Sequence, residues 1–131
     1  MITKTIVEED KRMEFLPQYI GKPFLKFELL VYRFMSMFCE SYMGGYWQFY
    51  ELSNGGMFIS IDEDKSFRVR NDMNYFDDDM SAEAVSLGVN MCALNGLMDC
   101  PEPDRYIDLY YQLRDFICEH KEADKILRFI D

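Results

Sequence analysis

The run Gly44-Gly45-Tyr46-Trp47-Gln48-Phe49-Tyr50-Glu51-Leu52-Ser53-Asn54-Gly55-Gly56 limits how this chain can fold more than any other stretch. Its paired glycines read as a helix stop. Gly44 can take the left-handed conformation that caps a helix without a Cβ penalty, and Gly45 keeps the exit pliable. Tyr46 to Leu52 is rich in aromatic side chains that suit a pleated surface. Asn54-Gly55 then signals a hairpin, because a two-residue type I′ turn needs positive φ at both central positions. Met57 to Ile61 is the return strand. With that loop, Ser53 faces Gly56, Leu52 faces Met57, Tyr50 faces Ile59 and Gln48 faces Ile61.

Alternation sorts this hairpin into two faces. Tyr46, Gln48, Tyr50, Leu52, Met57, Ile59 and Ile61 form the expected core side. Trp47, Phe49, Glu51, Phe58, Ser60 and Asp62 form the other, which mixes three large rings with two carboxylates. A solvated face rarely carries a chain's only Trp and two Phe, so part of it is expected to be covered. Cover by the protein's own helices is the first expectation. A partner is the second, with Trp47, Phe49, Glu51, Phe58 and Asp62 as the contacting residues. Gly44, Gly45, Ser53, Asn54, Gly55 and Gly56 read as structural.

Helical patterns flank the hairpin. Residues 8–16 suit a short helix with acids in its first turn, broken by Pro17. From Phe24 to Tyr42 apolar residues crowd almost the whole circumference, and Lys26, Arg33 and Glu40 fall on one narrow line. This reads as the central core helix, and its charges rule out a membrane span. Ser66 to Asn71 alternates Phe67 and Val69 with Arg68 and Arg70, a third antiparallel strand. Its arginines are expected across from Glu51 or Asp62. Asn71 to Asp79 reads as a loop whose acidic run, Asp77-Asp78-Asp79, leads into a helix N-terminus. Ser81 caps a helix to about Met98, along which Ala84, Gly88, Cys92 and Gly96 make a ridge for close approach of another backbone. Pro101 and Pro103 stiffen the next connector. Asp104 then opens a helix to about Glu119 that buries Tyr106, Leu109, Tyr110, Leu113, Phe116 and Ile117. Residues 122–130 form a last short helix. The only His, His120, is expected to serve a helix dipole.

Charge and composition narrow the function classes. The net charge is −10, with ten acids against seven bases in residues 1–65 and fourteen against seven in residues 66–131. This charge does not suit free nucleic acid as a ligand, which is usually bound through clustered Lys and Arg. A basic protein surface fits better. Hydrophobic residues make up 49% and aromatic residues 16% of the chain, so the acidity does not signal disorder. No apolar signal region opens the chain, and Cys39, Cys92, Cys100 and Cys118 show neither CxxC nor metal-ligand spacing, which together point to the cytoplasm. No catalytic constellation is legible: Ser53 sits in a turn, His120 is far from it in sequence, and no Gly-rich run fits a phosphate loop.

The hairpin run resembles the signature of the ArdB/KlcA antirestriction proteins, GGYW-x-FY-x-LSNGG. The resemblance extends to Arg12-Met13-x-Phe15-Leu16-Pro17, Cys39-Glu40-x-Tyr42, Met80-Ser81-Ala82, Tyr111-x-Leu113-Arg114-Asp115-Phe116 and the ending Ile130-Asp131. It implies a small protein of mobile elements, plasmids among them, that relieves type I restriction-modification and so evades host defence. It implies no catalytic residue set, metal or cofactor.

The expected architecture is one α+β domain over residues 1–131. It is a three-stranded antiparallel β-meander (about 46–52, 57–61 and 66–71) packed with about four to five helices around a central apolar helix. The expected function is non-catalytic relief of type I restriction through protein contacts, with the restriction-modification components or with an intermediary. Oligomeric state is left open. The alternatives are an acidic DNA mimic, a generic adaptor and a small enzyme. Mimicry is disfavoured because a duplex carries about one charge per 1.7 Å, and here the acids are interleaved with fourteen cations.

Overall fold

The helix at the centre of the computed structural model, which describes residues 1–131, is Ala82–Asn95 (α3 below). Ser81 caps it, its hydroxyl accepting from Ala84 N at 3.1 Å. Eleven of its fourteen residues are buried, apolar and polar alike, because other elements pack on every side. The remaining elements are β1 (Lys4–Ile6), a 3-10 turn (Glu9–Lys11), α1 (Arg12–Ile20), α2 (Phe24–Phe38), β2 (Trp47–Leu52), β3 (Met57–Ile61), β4 (Ser66–Asn71), β5 (Phe76–Ser81), α4 (Pro103–Cys118) and α5 (Ala123–Ile130). The architecture is thus α+β, with five α-helices, one three-stranded antiparallel sheet and one two-stranded sheet.

Expectations change in three places, the first of them the helices. The central helix is α3 and not the segment from Phe24. Helix α2 ends at Phe38 and is one-sided, burying Phe27, Val31, Met35 and Phe38 while Leu25, Leu29 and Met37 are 60–63% exposed. Its C-cap is Cys39, so Gly44 and Gly45 lie beyond it, in a loop where both have positive φ (95° and 154°). Helix α1 also runs through Pro17, the sixth of its nine residues, where the ring removes the donor to the Met13 carbonyl.

The second change concerns the hairpin register. The observed pairs are Trp47 with Ile61, Phe49 with Ile59 and Glu51 with Met57, one residue away from the two-residue-loop register. Gly55 N donates to Leu52 O (3.0 Å) and Leu52 N to Gly56 O (2.9 Å), so the loop is Ser53-Asn54-Gly55. Only Gly55 has positive φ (93°), as in a three-residue loop closed by a glycine bulge. Asn54 instead uses its side chain, accepting from Gly56 N at 3.1 Å and donating to Gln112 O of α4 at 2.8 Å. Since a one-residue slip reverses facing, Trp47, Phe49 and Glu51 share their face with Met57, Ile59 and Ile61.

The third change is strand membership. Ser66–Asn71 does not join the meander; β1 completes the sheet in the order β1-β2-β3, and β4 pairs with β5 alone. Asp77, Asp78 and Asp79 therefore lie in a strand and not in a loop. Arg68 pairs with Asp77 (2.8 Å) and Asp79 (3.5 Å), not with Glu51 or Asp62.

The free edge of β3 is closed by α3. Alternate residues of β3 turn their backbone groups away from β2. On that side α3 meets them: Asn90 accepts from Ile59 N (3.0 Å) and donates to Ile59 O (2.7 Å), and Ser86 accepts from Ile61 N (3.1 Å). Asn90 and Ser86 are fully buried and lie four apart, on one helix face. They do for the edge what a fourth strand would do. The close approach expected along α3 is made by a side chain and not by another backbone: at Gly88 an added Cβ would meet the Phe129 ring of α5 at 2.6 Å.

Candidate functional site

Both faces of the aromatic strand are covered from within. Trp47 is 3% exposed, and its ring lies 5.5 Å from that of Tyr32 on α2. Its Nε1 donates to the Tyr42 hydroxyl at 3.2 Å. Phe49 is 6% exposed and stacks on Phe15 of α1 at 5.4 Å. Phe58 is fully buried between Tyr50 (4.8 Å) and Phe116 of α4 (5.6 Å). A buried ring offers no area to a partner, so these three belong to the core. Glu51 and Asp62 remain exposed; Glu51 accepts from the Tyr19 hydroxyl at 2.6 Å and Asp62 from Gln48 Nε2 at 3.4 Å. Burial and the Glu51 bond together push the Tyr19 hydroxyl up to about 12.

Where the strand meets α1, the structure brings together a group that the strand alone does not reveal. Arg12 opens α1 and donates from Nη2 to Trp47 O at 2.8 Å. Its guanidinium carbon lies 4.1 Å from the Phe49 ring centroid and 4.8 Å from that of Tyr46, within range of the attraction between a cation and a π face. Nη1 is buried and has no hydrogen-bond partner. The guanidinium borders an open cleft of about 410 Å³ lined by Met13, Leu16, Pro17, Phe24, Glu28 and Phe49. Glu28 supplies the opposite charge from α2, and burial, followed by the Glu28 carboxylate, raises the pKa of Tyr32. A guanidinium bordering a mainly apolar cleft suits a carbonyl or carboxylate carried on an apolar group. The sequence signal was Arg12 in the Arg-Met-x-Phe-Leu-Pro segment, whose chemistry is visible only once the segment folds beside Trp47.

A second polar cluster is structural in its geometry. His120 turns away from the end of α4 toward α3, a different placement from the expected dipole role. Its Nδ1 accepts from Glu122 N (3.0 Å), so Nε2 carries the proton and donates to Glu83 (3.0 Å). Lys4 of β1 also pairs with Glu83, and the hydrogen bond from His120, the largest single influence, together with the lysine holds that carboxyl down at about 2. Glu122 accepts from both Ser81 N and Ser81 Oγ. Both imidazole nitrogens and the serine hydroxyl are thus engaged. Burial pushes Cys39 up to about 12 and Cys92 up to about 11, far from a reactive thiolate.

Comparison with known proteins places this geometry. The model of the antirestriction protein family matches residues 40–131. The chain belongs to the antirestriction protein family. It is 40% identical over 139 residues to an antirestriction protein KlcA of Escherichia coli, covering 99% of this chain and 94% of that one. It is 41% identical over 134 residues to YafX of Escherichia coli K12, a protein of uncharacterised role, covering 99% and 88%. A solved KlcA/ArdB structure superposes with a TM-score of 0.92 at 36% identity, over 99% of this chain and 95% of that one. KlcA and ArdB are described there as having a novel fold and antirestriction activity against Type I DNA restriction systems in vivo but not in vitro. In this antirestriction chain the glycine-flanked signature thus builds the core hairpin, and the open surface beside it is the Arg12 cleft.

Proposed function

We propose that this protein relieves restriction by type I restriction-modification systems inside the cell, acting as one non-catalytic domain in the cytoplasm. The observation that carries this reading is the likeness over 99% of the chain to KlcA and ArdB, which are active against those systems in vivo but not in vitro. Activity that depends on the cell favours contact with an intermediary, or with restriction components in their cellular state, over simple blockade of the enzyme's DNA channel. The contacts would come from the open surface: the Arg12 cleft with Glu28, and the exposed Glu51 and Asp62. The site geometry supports a role without catalysis, because the hydroxyl and imidazole groups are bonded and the inner thiols are held protonated. Helices of the chain are too short and polar to cross a membrane.

Duplex mimicry is the weaker mechanism. Arg68 and Lys125 pair with Asp77, Asp78 and Asp79 along β5, so the densest acidic run is largely neutralised within the protein. The test is the plating efficiency of unmodified phage on a type I restricting host, with and without the protein at verified soluble levels. Efficiency should rise toward that on a non-restricting host; no rise would overturn the reading. Replacing Asp77, Asp78 and Asp79 together by Asn should leave relief intact, and Arg12→Ala should reduce it at matched protein level. Loss in the triple variant alone would place the function on the acidic strand.

A further inference from the structure

We propose that the outer face of α4 is a docking surface for a basic helix of a partner protein, one with a row of Lys or Arg beside an apolar stripe. This goes beyond the contacts named for restriction relief and does not rest on them. Helix α4 buries Tyr106, Leu109, Leu113 and Ile117 and leaves its opposite side open. Exposed there are Asp104, Ile107, Asp108, Tyr111, Asp115 and Cys118, all inside the helix and all within about 100° of its circumference. Positions 104, 108, 111, 115 and 118 alternate steps of four and three, the spacing of a seam between two helices. The segment Tyr111-x-Leu113-Arg114-Asp115-Phe116 thus gives Leu113 to the core and Tyr111 and Asp115 to the seam.

Charge decides the occupant. Asp104, Asp108 and Asp115 run along one side of the seam, and Ile107, Tyr111 and Cys118 along the other, over about 21 Å. None of the three carboxylates has an ion-pair partner in the chain. The acids of β5, by contrast, are met by Arg68 and Lys125. Asp104 and Asp108 also stand one turn apart with like charge, which disfavours the isolated helix. The cations of α4 lie off the seam: Arg105 donates to Gln18 O at 2.7 Å, and Arg114 sits on the flank beside Tyr110. Tyr111 is 59% exposed and held edge-on to the Tyr110 ring at 5.4 Å, an aromatic anchor already in place. A nucleic acid would meet these carboxylates with like charge. A second copy would too: an antiparallel α4 sets Asp108 against Asp115, and a parallel one sets each Asp against itself. A neutral apolar partner would leave the carboxylates without a counter-charge. A basic amphipathic helix answers both rows at once.

One helix face falls short of the roughly 800 Å² per partner of a standard interface, so a single docked helix binds weakly. The probe is an acetylated, amidated peptide of about 18 residues of Leu, Ala and Lys, its lysines in one helical row beside the leucines. A scrambled peptide of the same composition and a DNA duplex of similar length are the controls. Titration into the full chain, followed by amide chemical shifts, should move α4 first, with a Kd on the order of 100 μM at low salt. A tenfold rise in salt should weaken binding about tenfold, since charges this exposed are screened. Asp108→Lys combined with Asp115→Lys should weaken it about tenfold or more, and Tyr111→Ala about threefold or more. Both variants should keep wild-type circular dichroism and melting, because the changes are on the surface. The doubly reversed variant should in turn bind a peptide with Glu in place of Lys, which wild type should not. Replacing Asp77, Asp78 and Asp79 together by Asn should change binding less than about twofold. Shifts centred away from α4, equal binding of the scrambled peptide, or an equal loss in that β5 variant overturn the proposal. Binding of the duplex to this face overturns it as well.

Discussion

Replacing Asn90 by Ala tests whether a buried amide closes the sheet edge. The side chain is fully buried and makes three hydrogen bonds: it accepts from Ile59 N at 3.0 Å, and donates to Ile59 O and Ser86 O at 2.7 Å each. Alanine leaves the Ile59 N–H without a partner, in a place water does not reach. An orphaned buried donor costs about 1–3 kcal/mol, and each lost bond to a carbonyl that retains or lacks other partners adds about 0.5–1.5. With the small cavity included, the expected loss is about 3–5 kcal/mol. That is a large share of the 5–15 kcal/mol a domain usually holds. Urea denaturation followed by tryptophan fluorescence reads it directly, since Trp47 lies on the same sheet. At a slope of about 1–3 kcal/mol/M, the midpoint should fall by roughly 2 M. Ser86→Ala, which orphans only Ile61 N–H, should cost about 1–3 kcal/mol. Asn90→Asp is the sharper control. It keeps the acceptor for Ile59 N–H but aims a carboxylate at two carbonyls, so its folded pKa must rise. It should be as damaging as alanine at neutral pH and recover as pH falls and the carboxyl becomes a donor. An Asn90→Ala cost below about 1 kcal/mol would refute the reasoning, because the edge would then be satisfied without the amide.

Two further outcomes follow from the same structure. Glu83, held at about 2 by the hydrogen bond from His120 together with Lys4, contributes stability that is present above its unfolded pKa near 4.5 and lost as pH falls toward 2. After discounting for partial exposure this amounts to about 1–2 kcal/mol; Glu83→Gln should flatten the acid limb of a stability–pH profile between those values, and an unchanged limb would mean the pair is inert. Tyr75 is 92% exposed in the left-handed region (φ 63°), where Asn fits better. Tyr75→Asn should raise stability by about 1 kcal/mol and the melting temperature by roughly 3–5 °C in a thermal scan; a fall would show that the ring makes a contact the fold needs.

Much of the fold was legible because its causes are local. Ser81 caps α3 by a bond to a backbone amide three residues on, and the Pro103 helix carries its buried stripe at helical spacing. Gly55 needs positive φ whatever the loop length. The hairpin exists because aromatic and β-branched residues flank that turn. Register was not local. Asn54 is as compatible with a three-residue loop as with a two-residue one, and its bond to Gln112 of α4, 58 residues away, belongs to the observed form. That one-residue choice decided which partners Trp47 and Phe49 have across the sheet, and covering helices on both faces put their rings inside. Sheet membership was also beyond the sequence, since β1 and β4 are both short strands able to pair with a hairpin edge. Asn90 and Ser86 read as unremarkable polar positions of a small-residue helix until β3 turned its unpaired amides toward them. The Arg12 cleft has the same character, a cation from one helix over rings of a strand 35 residues on. Sequence determines what depends on neighbours within a turn or two of chain. Tertiary structure alone decides which unpaired backbone groups and charges from distant segments come to face one another, because burial leaves them no water to bond instead.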